Sequence, residues 1–219
     1  PFKTFHLFRL AIIKILGCFI ILFTAFPGRE IHAQDGAWID YSIDGFGTGA
    51  YMYDCGDGCS GYTMANSRYV LVFDIEIGDW LKADLGTVQT IKYLHTEGSV
   101  VMAWSEDMLF GYSSLTGTWD TIFYEGTVLQ EDSYELFRSF GCTEKLAFFV
   151  SDSKFYVFDC ELGYWQQYDY GYPTDFNFGY FYPREDCIIL VMLRTNFYDD
   201  IKNVVYSSHT KSFNRIEER

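Results

Sequence analysis

Short apolar runs alternate with polar turns along most of the chain, and this pattern recurs. Three segments of equal length align without gaps. Each holds an apolar run, a polar turn, a second apolar run, and then Asp or Ser, three residues, Gly, one residue and Trp. They are Gly61–Trp80, Val100–Trp119 and Leu146–Trp165. Self-similarity at this period is typical of repeat architectures, and short apolar runs between turns indicate strands. The sequence therefore predicts a repeated unit of β-hairpins.

Each repeat ends in a turn of the same chemistry. Its first residue has a side-chain oxygen that can accept a hydrogen bond from the backbone N–H two residues on; these residues are Asp74, Ser113 and Asp159. A glycine that can take the positive φ of a tight hairpin follows; the three are Gly78, Gly117 and Gly163. We interpret the Trp that opens the next strand as a core residue, because its bulk suits the gap between sheets; the three are Trp80, Trp119 and Trp165.

A fourth copy is less regular. Ile188–Leu193 and Asn203–Ser207 supply its two strands, Phe213 stands at the Trp position and Lys211 at the Gly position. An insertion within residues 194–202 is expected to lengthen the first turn. The anchors at the Trp position are 39, 46 and 48 residues apart, which is the spacing of a four-stranded propeller blade.

The predicted fold class is all-β, a β-propeller with about four recognisable four-stranded blades. A further strand before each repeat completes the blades, at Ala50–Asp54, Gln89–His95, Tyr134–Phe140 and Asp175–Phe181. The predicted blades occupy residues 50–84, 89–123, 134–169 and 175–218 of a unit spanning 35–219. We expect a fragment of a larger propeller, because propellers commonly have more than four blades, and a closed four-bladed ring is the alternative.

At the motif FYVFDCELGYW, residues 155–165, the sequence resembles the kelch and galactose-oxidase-like β-propellers. Blades of that family carry a tyrosine–aspartate strand end, a turn closed by Gly, and a Trp. The paired glycines of a kelch blade are replaced here by Ala65-Asn66, Trp104-Ser105 and Val150-Ser151. The copper chemistry of the galactose-oxidase relatives is not expected, because only His95 and His209 follow residue 34 and they stand in different strand contexts.

Residues 1–34 predict a signal peptide. Lys3, Arg9 and Lys14 flank or enter the apolar run 10–26, and the small residue Ala33 marks a cleavage site before Gln34. An uncleaved N-terminal anchor is the alternative, and cleavage at Cys18 as a lipoprotein is disfavoured because the apolar run continues past it. We therefore expect an exported protein, whether secreted, periplasmic or at the cell surface.

Charge narrows the set of partners. The net charge of the chain is −14, and loss of residues 1–34, with four Lys or Arg and one Glu, would move it to −17. Such a surface repels nucleic acid and anionic lipid, so we expect no nucleic-acid partner and membrane contact only through an uncleaved N-terminal segment. A cationic partner would be attracted. Ca²⁺ is possible by charge alone, but no motif supports it, and no cofactor is predicted.

The predicted blade topology sorts the loops into two faces. The first face holds the connections between strands two and three and between successive blades; the second face holds those between strands one and two and between strands three and four. We predict a binding surface on the first face, where aromatic and acidic loop residues gather. Its candidate residues are Tyr170, Tyr172, Tyr198, Asp199 and Asp200.

Five cysteines follow the predicted signal peptide, and all fall on the second face. In an oxidising compartment, Cys55–Cys59 could staple a turn and Cys142–Cys160 could join two loops of one blade. Cys187 would then remain a free thiol.

No catalytic signature occurs in the sequence, and no catalytic or metal-binding residue is predicted. The leading hypothesis is an exported, non-enzymatic β-propeller that acts as a protein- or glycan-binding or scaffold module. The alternative is a secreted carbohydrate-active enzyme, a glycosidase or lyase, that uses two loop carboxylates. A purely structural unit within a longer surface protein is a third hypothesis.

Overall fold

The computed structural model describes residues 46–128, 139–170, 176–194 and 197–218. Every regular element among them is a β-strand, so they contain no helix that could cross a membrane. The predicted signal peptide lies outside these residues. The prediction of an all-β fold is confirmed.

The described residues form fifteen strands in four antiparallel sheets, and each sheet is made of strands that are consecutive in the chain. Sheet 1 contains β1 (Gly47–Cys55), β2 (Cys59–Asp74) and β3 (Asp79–Thr90). Sheet 2 contains β4 (Tyr93–Glu97), β5 (Val100–Trp104), β6 (Met108–Ser113) and β7 (Thr118–Phe123). Sheet 3 contains β8 (Phe140–Cys142), β9 (Leu146–Val150), β10 (Lys154–Asp159) and β11 (Tyr164–Asp169). Sheet 4 contains β12 (Phe176–Pro183), β13 (Cys187–Arg194), β14 (Phe197–Ser207) and β15 (Ser212–Glu218). Each is an antiparallel meander, the topology of a propeller blade.

The long strand β2 doubles back on itself, so sheet 1 also has the form of a four-stranded blade. The Thr63 hydroxyl donates a hydrogen bond of 2.8 Å to the carbonyl oxygen of Tyr69. Six residues of extended strand would separate these residues by roughly 20 Å. The reversal therefore lies between them, at the polar turn that the repeat predicts, and the two halves of β2 take the places of the second and third strands.

The turn chemistry predicted for the repeat is present. The glycines of the repeat turns, Gly78, Gly117 and Gly163, have positive φ values. Lys211 takes the same conformation in the fourth copy, with a φ of 52°. The Asp74 carboxylate accepts a hydrogen bond from the Glu76 N–H, and the Asp159 carboxylate accepts one from the Glu161 N–H. These turns fix the outer hairpin of each sheet.

Consecutive sheets pack face to face. We call the side of a sheet that faces the preceding sheet its leading side, and the side that faces the following sheet its trailing side. Buried clusters join sheets 1 and 2, sheets 2 and 3, and sheets 3 and 4. In sheet 3 every residue of β9 and β10 is buried, because both sides of these inner strands are covered. The core thus consists of apolar layers between neighbouring sheets.

One strand boundary and one core assignment differ from the sequence prediction. The first strand of sheet 2 begins at Tyr93 rather than Gln89, because Gln89 and Thr90 extend β3 and pair with Ser67 and Asn66. The assignment of Trp119 to the core is wrong: Trp119 lies on the outermost strand of sheet 2 and is 43% exposed, whereas Trp165 is 6% exposed.

The insertion in the fourth copy does not form a long turn. Arg194 pairs with Phe197, and Leu193 pairs with Ile201, so the register shifts between these two pairs. The extra residues therefore form a bulge within β14, and the bulge lets the longer β14 stay paired with β13 on both sides of it. The predicted lengthening of the turn is wrong for this reason.

Candidate functional site

The structure describes only part of the predicted first-face surface. Tyr170 follows β11, and its hydroxyl donates hydrogen bonds to the carbonyl oxygens of Ser151 and Lys154. Burial raises the pKa of Tyr170, which keeps its hydroxyl protonated as a donor. Its hydrogen bonds thus tie the end of sheet 3 to the turn between β9 and β10.

The other four candidates of this surface are less defined. Tyr172 lies outside the described residues. The remaining three lie on β14, within the bulge, and their side chains lie outside the described part of the chain; they are Tyr198, Asp199 and Asp200. The first-face surface therefore stays a prediction.

All five cysteines lie at strand ends or turns of the second face, as the sequence predicts, and no disulfide joins them in the structure. Neither predicted pair, Cys55–Cys59 or Cys142–Cys160, is joined, and both pairings stay predictions. Burial raises the pKa of the Cys59 and Cys160 thiols to about 12. A protonated, buried thiol is a poor nucleophile, so these cysteines act as small apolar side chains here.

A cleft of about 670 Å³ opens on the second face. It lies where the turns between the first and second strands of sheets 2, 3 and 4 converge. Its lining residues are Glu97, Cys142, Thr143, Glu144, Pro183, Arg184, Glu185, Asp186 and Cys187. Four carboxylates and one guanidinium line the cleft, so it is strongly acidic.

Backbone hydrogen bonds join the turns around the cleft. The Gly58 N–H donates to the carbonyl oxygen of Gly98 at 2.8 Å, which joins sheet 1 to sheet 2. The Ser99 N–H donates to the carbonyl oxygen of Glu144 at 3.0 Å, which joins sheet 2 to sheet 3. Because a Cβ on Gly98 would lie 2.6 Å from the Glu144 backbone, and Gly98 has a φ of +50°, this approach requires glycine. The turns therefore form a fixed frame.

Lys145 partly offsets the acidic charge at one end of the cleft. The Lys145 ammonium lies 3.2 Å from the Asp186 carboxylate, and this hydrogen bond raises the pKa of Lys145. His209 lies 3.7 Å from the same carboxylate. Glu97, Glu144 and Glu185 are exposed, and no basic side chain in the described part of the chain lies within ion-pair distance of them. These three carboxylates are open to a cationic ligand.

A second polar pair joins sheets 1 and 2 on the same face. His95 Nδ1 lies 2.7 Å from Asp54 Oδ2, which also accepts the Thr96 N–H. Burial alone would raise the pKa of Asp54, but the His95 and Thr96 hydrogen bonds outweigh it and hold that pKa below its ordinary value. The pair locks two sheets together. Among the described residues, no group of three or more His, Cys, Asp or Glu is arranged to hold a metal ion.

The sequence did not predict the acidic cleft. One signal was present: the turn between the first two strands carries an acid in every repeat, at Asp57, Glu97, Glu144 and Glu185. Each acid alone resembles an ordinary solvated turn residue. Only the packing of three sheets brings Glu97, Glu144 and Glu185 around one cleft.

No protein-family model and no curated protein matches the chain. Similar solved structures include AztD from Citrobacter koseri, with 11% identity over 80% of this chain and 46% of that chain, and a TM-score of 0.35. The WD40 domain of SCAP from fission yeast has 11% identity over 78% of this chain and 44% of that chain, and a TM-score of 0.34. BamB from Moraxella catarrhalis has 10% identity over 74% of this chain and 47% of that chain, and a TM-score of 0.33.

The chain thus spans about half the length of these structures. Overlaps this low carry no argument by themselves. The assignment to propeller-type blades rests on the internal repeat and on four consecutive antiparallel meanders that pack side against side. The kelch resemblance stays a prediction.

Proposed function

We propose that the chain is a non-enzymatic binding module whose acidic cleft takes a basic segment of a protein partner. One observation carries the proposal. Glu97, Glu144 and Glu185 come from three different sheets, line one cleft and have no basic partner among the described residues. Loops on a rigid scaffold are where binding residues concentrate.

Charge favours a protein over a glycan as the partner. The net charge of −14 and the carboxylates of the cleft attract Lys and Arg side chains from a distance and accept their hydrogen bonds at contact. A neutral glycan would gain nothing from this field, and an anionic glycan would be repelled. The turns are joined by backbone hydrogen bonds, so the cleft does not have to be ordered when the partner binds.

The test is titration with two fluorescent peptides of equal length, one rich in Lys and Arg and the other with Glu at those positions. We expect the basic peptide to bind and its affinity to fall as salt rises. Combining Glu97→Gln, Glu144→Gln and Glu185→Gln should weaken binding by roughly 1 to 2 kcal/mol, or about five- to thirtyfold, because each exposed ion pair contributes little alone.

A control variant with the same charge change carries Glu106→Gln, Asp107→Asn and Glu125→Gln. These residues are exposed and lie on the first face. Only the cleft variant should lose affinity. Equal losses in the two variants would show a general charge effect and reject the cleft as the site.

We also propose that the protein is exported. The support is the charge and apolar layout of residues 1–34. Fusion of these residues to a reporter enzyme that is active only outside the cytoplasm should give an active reporter. An inactive but stable fusion would exclude export by this segment.

A further inference from the structure

The leading side of sheet 1 is an aromatic surface that no sheet covers in the described part of the chain. Phe46, Tyr62 and Leu71 form a cluster there with partly buried side chains of the same sheet. Tyr51 and Tyr53 are 53% and 47% exposed. The leading sides of sheets 2, 3 and 4 are instead buried against the preceding sheet. Exposed apolar surface of this kind marks an interaction site.

The three internal interfaces show which partner such a side takes. In every sheet, the residue at the Asp or Ser position of the repeat points to the trailing side, and the aromatic residue before it points to the leading side. Between sheets 1 and 2, the Tyr112 hydroxyl donates to Asp74 Oδ2 at 2.6 Å. Between sheets 3 and 4, the Tyr206 hydroxyl donates to Asp159 Oδ2 at 2.8 Å. A trailing Asp is thus paired with a leading Tyr.

The interface between sheets 2 and 3 has a leading Phe and a trailing Ser instead. Phe158 has no hydroxyl, and the trailing residue opposite is Ser113, whose own hydroxyl donates to the carbonyl oxygen of Cys160 at 2.6 Å. Gly111 makes room for the ring, because a Cβ there would lie 2.4 Å from Phe158. A carboxylate in place of Ser113 would find no hydroxyl donor on Phe158, and burial of a carboxylate that lacks donors is costly, so the leading Phe is matched here by a trailing Ser.

The two outer sides of the four described sheets carry this same combination of residues. Sheet 1 presents Phe73 on its leading side, packed on Trp80 with ring centroids 5.4 Å apart. Sheet 4 presents Ser207 on its trailing side, opposite to the buried Tyr206 on β14. Leading Phe and trailing Ser are the combination seen between sheets 2 and 3.

We propose that the leading side of sheet 1 binds the trailing side of sheet 4 of a second copy of this chain, head to tail. The contact continues an interface that already occurs three times within the chain. Because its two surfaces differ, it is heterologous, and repeated association closes a ring or extends a filament. Phe73 and Ser207 lie opposite each other in this interface.

Self-association and the binding of a basic partner are expected to respond to salt in opposite directions. Two copies with a net charge of −14 each repel, so self-association strengthens as salt screens the charge. Binding of a basic peptide to the acidic cleft weakens under the same change. The two proposals can therefore fail independently.

The first test is sedimentation velocity of the full chain over a range of concentrations, at about 0.1 M and about 1 M salt, where the screening length falls from about 10 Å to about 3 Å. We expect association that is stronger at the higher salt concentration. Tyr53→Arg should weaken it at least tenfold. Tyr164→Arg is the matched control, because Tyr164 is also 47% exposed but lies on the outer strand of sheet 3, and it should leave association unchanged.

The second test exchanges the paired residues. Ser207→Asp should weaken association, because it places a carboxylate opposite Phe73, which offers no hydroxyl donor across the interface. Adding Phe73→Tyr to that variant supplies the hydroxyl and should restore association, as Tyr206 does for Asp159. A monomer at all concentrations, association that Tyr53→Arg does not change, or failure of the double variant to associate would each overturn the proposal.

Discussion

Sheet 1 and sheet 3 are built from the same sequence repeat, yet they differ on one side. In sheet 3 both sides of β9 and β10 are buried, and every residue of these strands is shielded from solvent. In sheet 1 only the trailing side packs on a described neighbour, and the leading side retains half-exposed tyrosines. The repeat therefore encodes the sheet and its turns, whereas burial is set by what packs beside it.

The largest expected effect is on stability, and it comes from replacing the aromatic residue before the repeat Asp in sheet 3 and in sheet 1. Phe158 is fully buried, and Phe158→Ala should destabilise the protein by about 3 to 5 kcal/mol, through lost apolar burial and a residual cavity. Phe73 is half-buried, so Phe73→Ala should cost no more than about half as much. Urea unfolding of the two variants measures the difference. Equal losses would show that the leading side of sheet 1 is as well covered as that of sheet 3.

A smaller loss of stability is expected when the Tyr hydroxyl is removed from the interface between sheets 3 and 4. Tyr206→Phe leaves the buried Asp159 without one of its donors and should cost about 1 to 3 kcal/mol. Tyr53→Phe, at a tyrosine of sheet 1 that is 47% exposed, is the control and should be nearly neutral.

The double variant Asp159→Ser with Tyr206→Phe introduces the pair of Ser and Phe found between sheets 2 and 3, and Lys211 then keeps Glu161 as its ion-pair partner. It should recover part of the stability that Tyr206→Phe loses, because no carboxylate then remains buried without that donor. Additive losses from the two substitutions would contradict the pairing of Asp with Tyr and Ser with Phe.

The smallest effect concerns pH and the contact between sheets 1 and 2. Hydrogen bonds from His95 and Thr96 hold the pKa of Asp54 below its ordinary value despite partial burial. A carboxyl whose pKa is depressed by folding stabilises the protein above the unfolded pKa of about 4, and this contribution is lost as pH falls through the folded pKa.

Asp54→Asn should therefore flatten the fall of the melting temperature below about pH 4, relative to the wild-type chain. Glu76→Gln replaces an exposed carboxylate of the same sheet and is the control, and it should keep the wild-type profile. If both variants follow the wild-type profile, the Asp54–His95 pair contributes nothing to acid stability.

The sequence predicts the sheets well because their signals are local. A repeated Asp or Ser, a glycine of positive φ and an aromatic anchor fix each outer hairpin, and the structure places Gly78, Gly117 and Gly163 as expected. Even the fourth copy, with Lys211 in place of glycine, keeps the turn. These features need only neighbouring residues to form.

The acidic cleft and the interface pairs depend on distant residues, so a single sequence does not disclose them. Glu97 and Glu144 line the same cleft because Gly98 lets their two turns approach each other. Asp159 accepts a hydrogen bond from the Tyr206 hydroxyl, which belongs to the following sheet. The bulge in β14 was missed for a related reason, since an insertion can lengthen a turn or enter a strand, and pairing across the sheet decides between them.

The frame of the cleft is made of main chain, and this affects how the protein can evolve. Hydrogen bonds from the Gly58 and Ser99 amides fix the positions of the turns, while the acids beside them are not needed for those bonds. In the proposed binding role, exchange of Glu97, Glu144 or Glu185 would alter which partner is recognised and leave the shape of the cleft intact. Selection can thus change specificity one turn at a time, provided that Gly98 stays glycine.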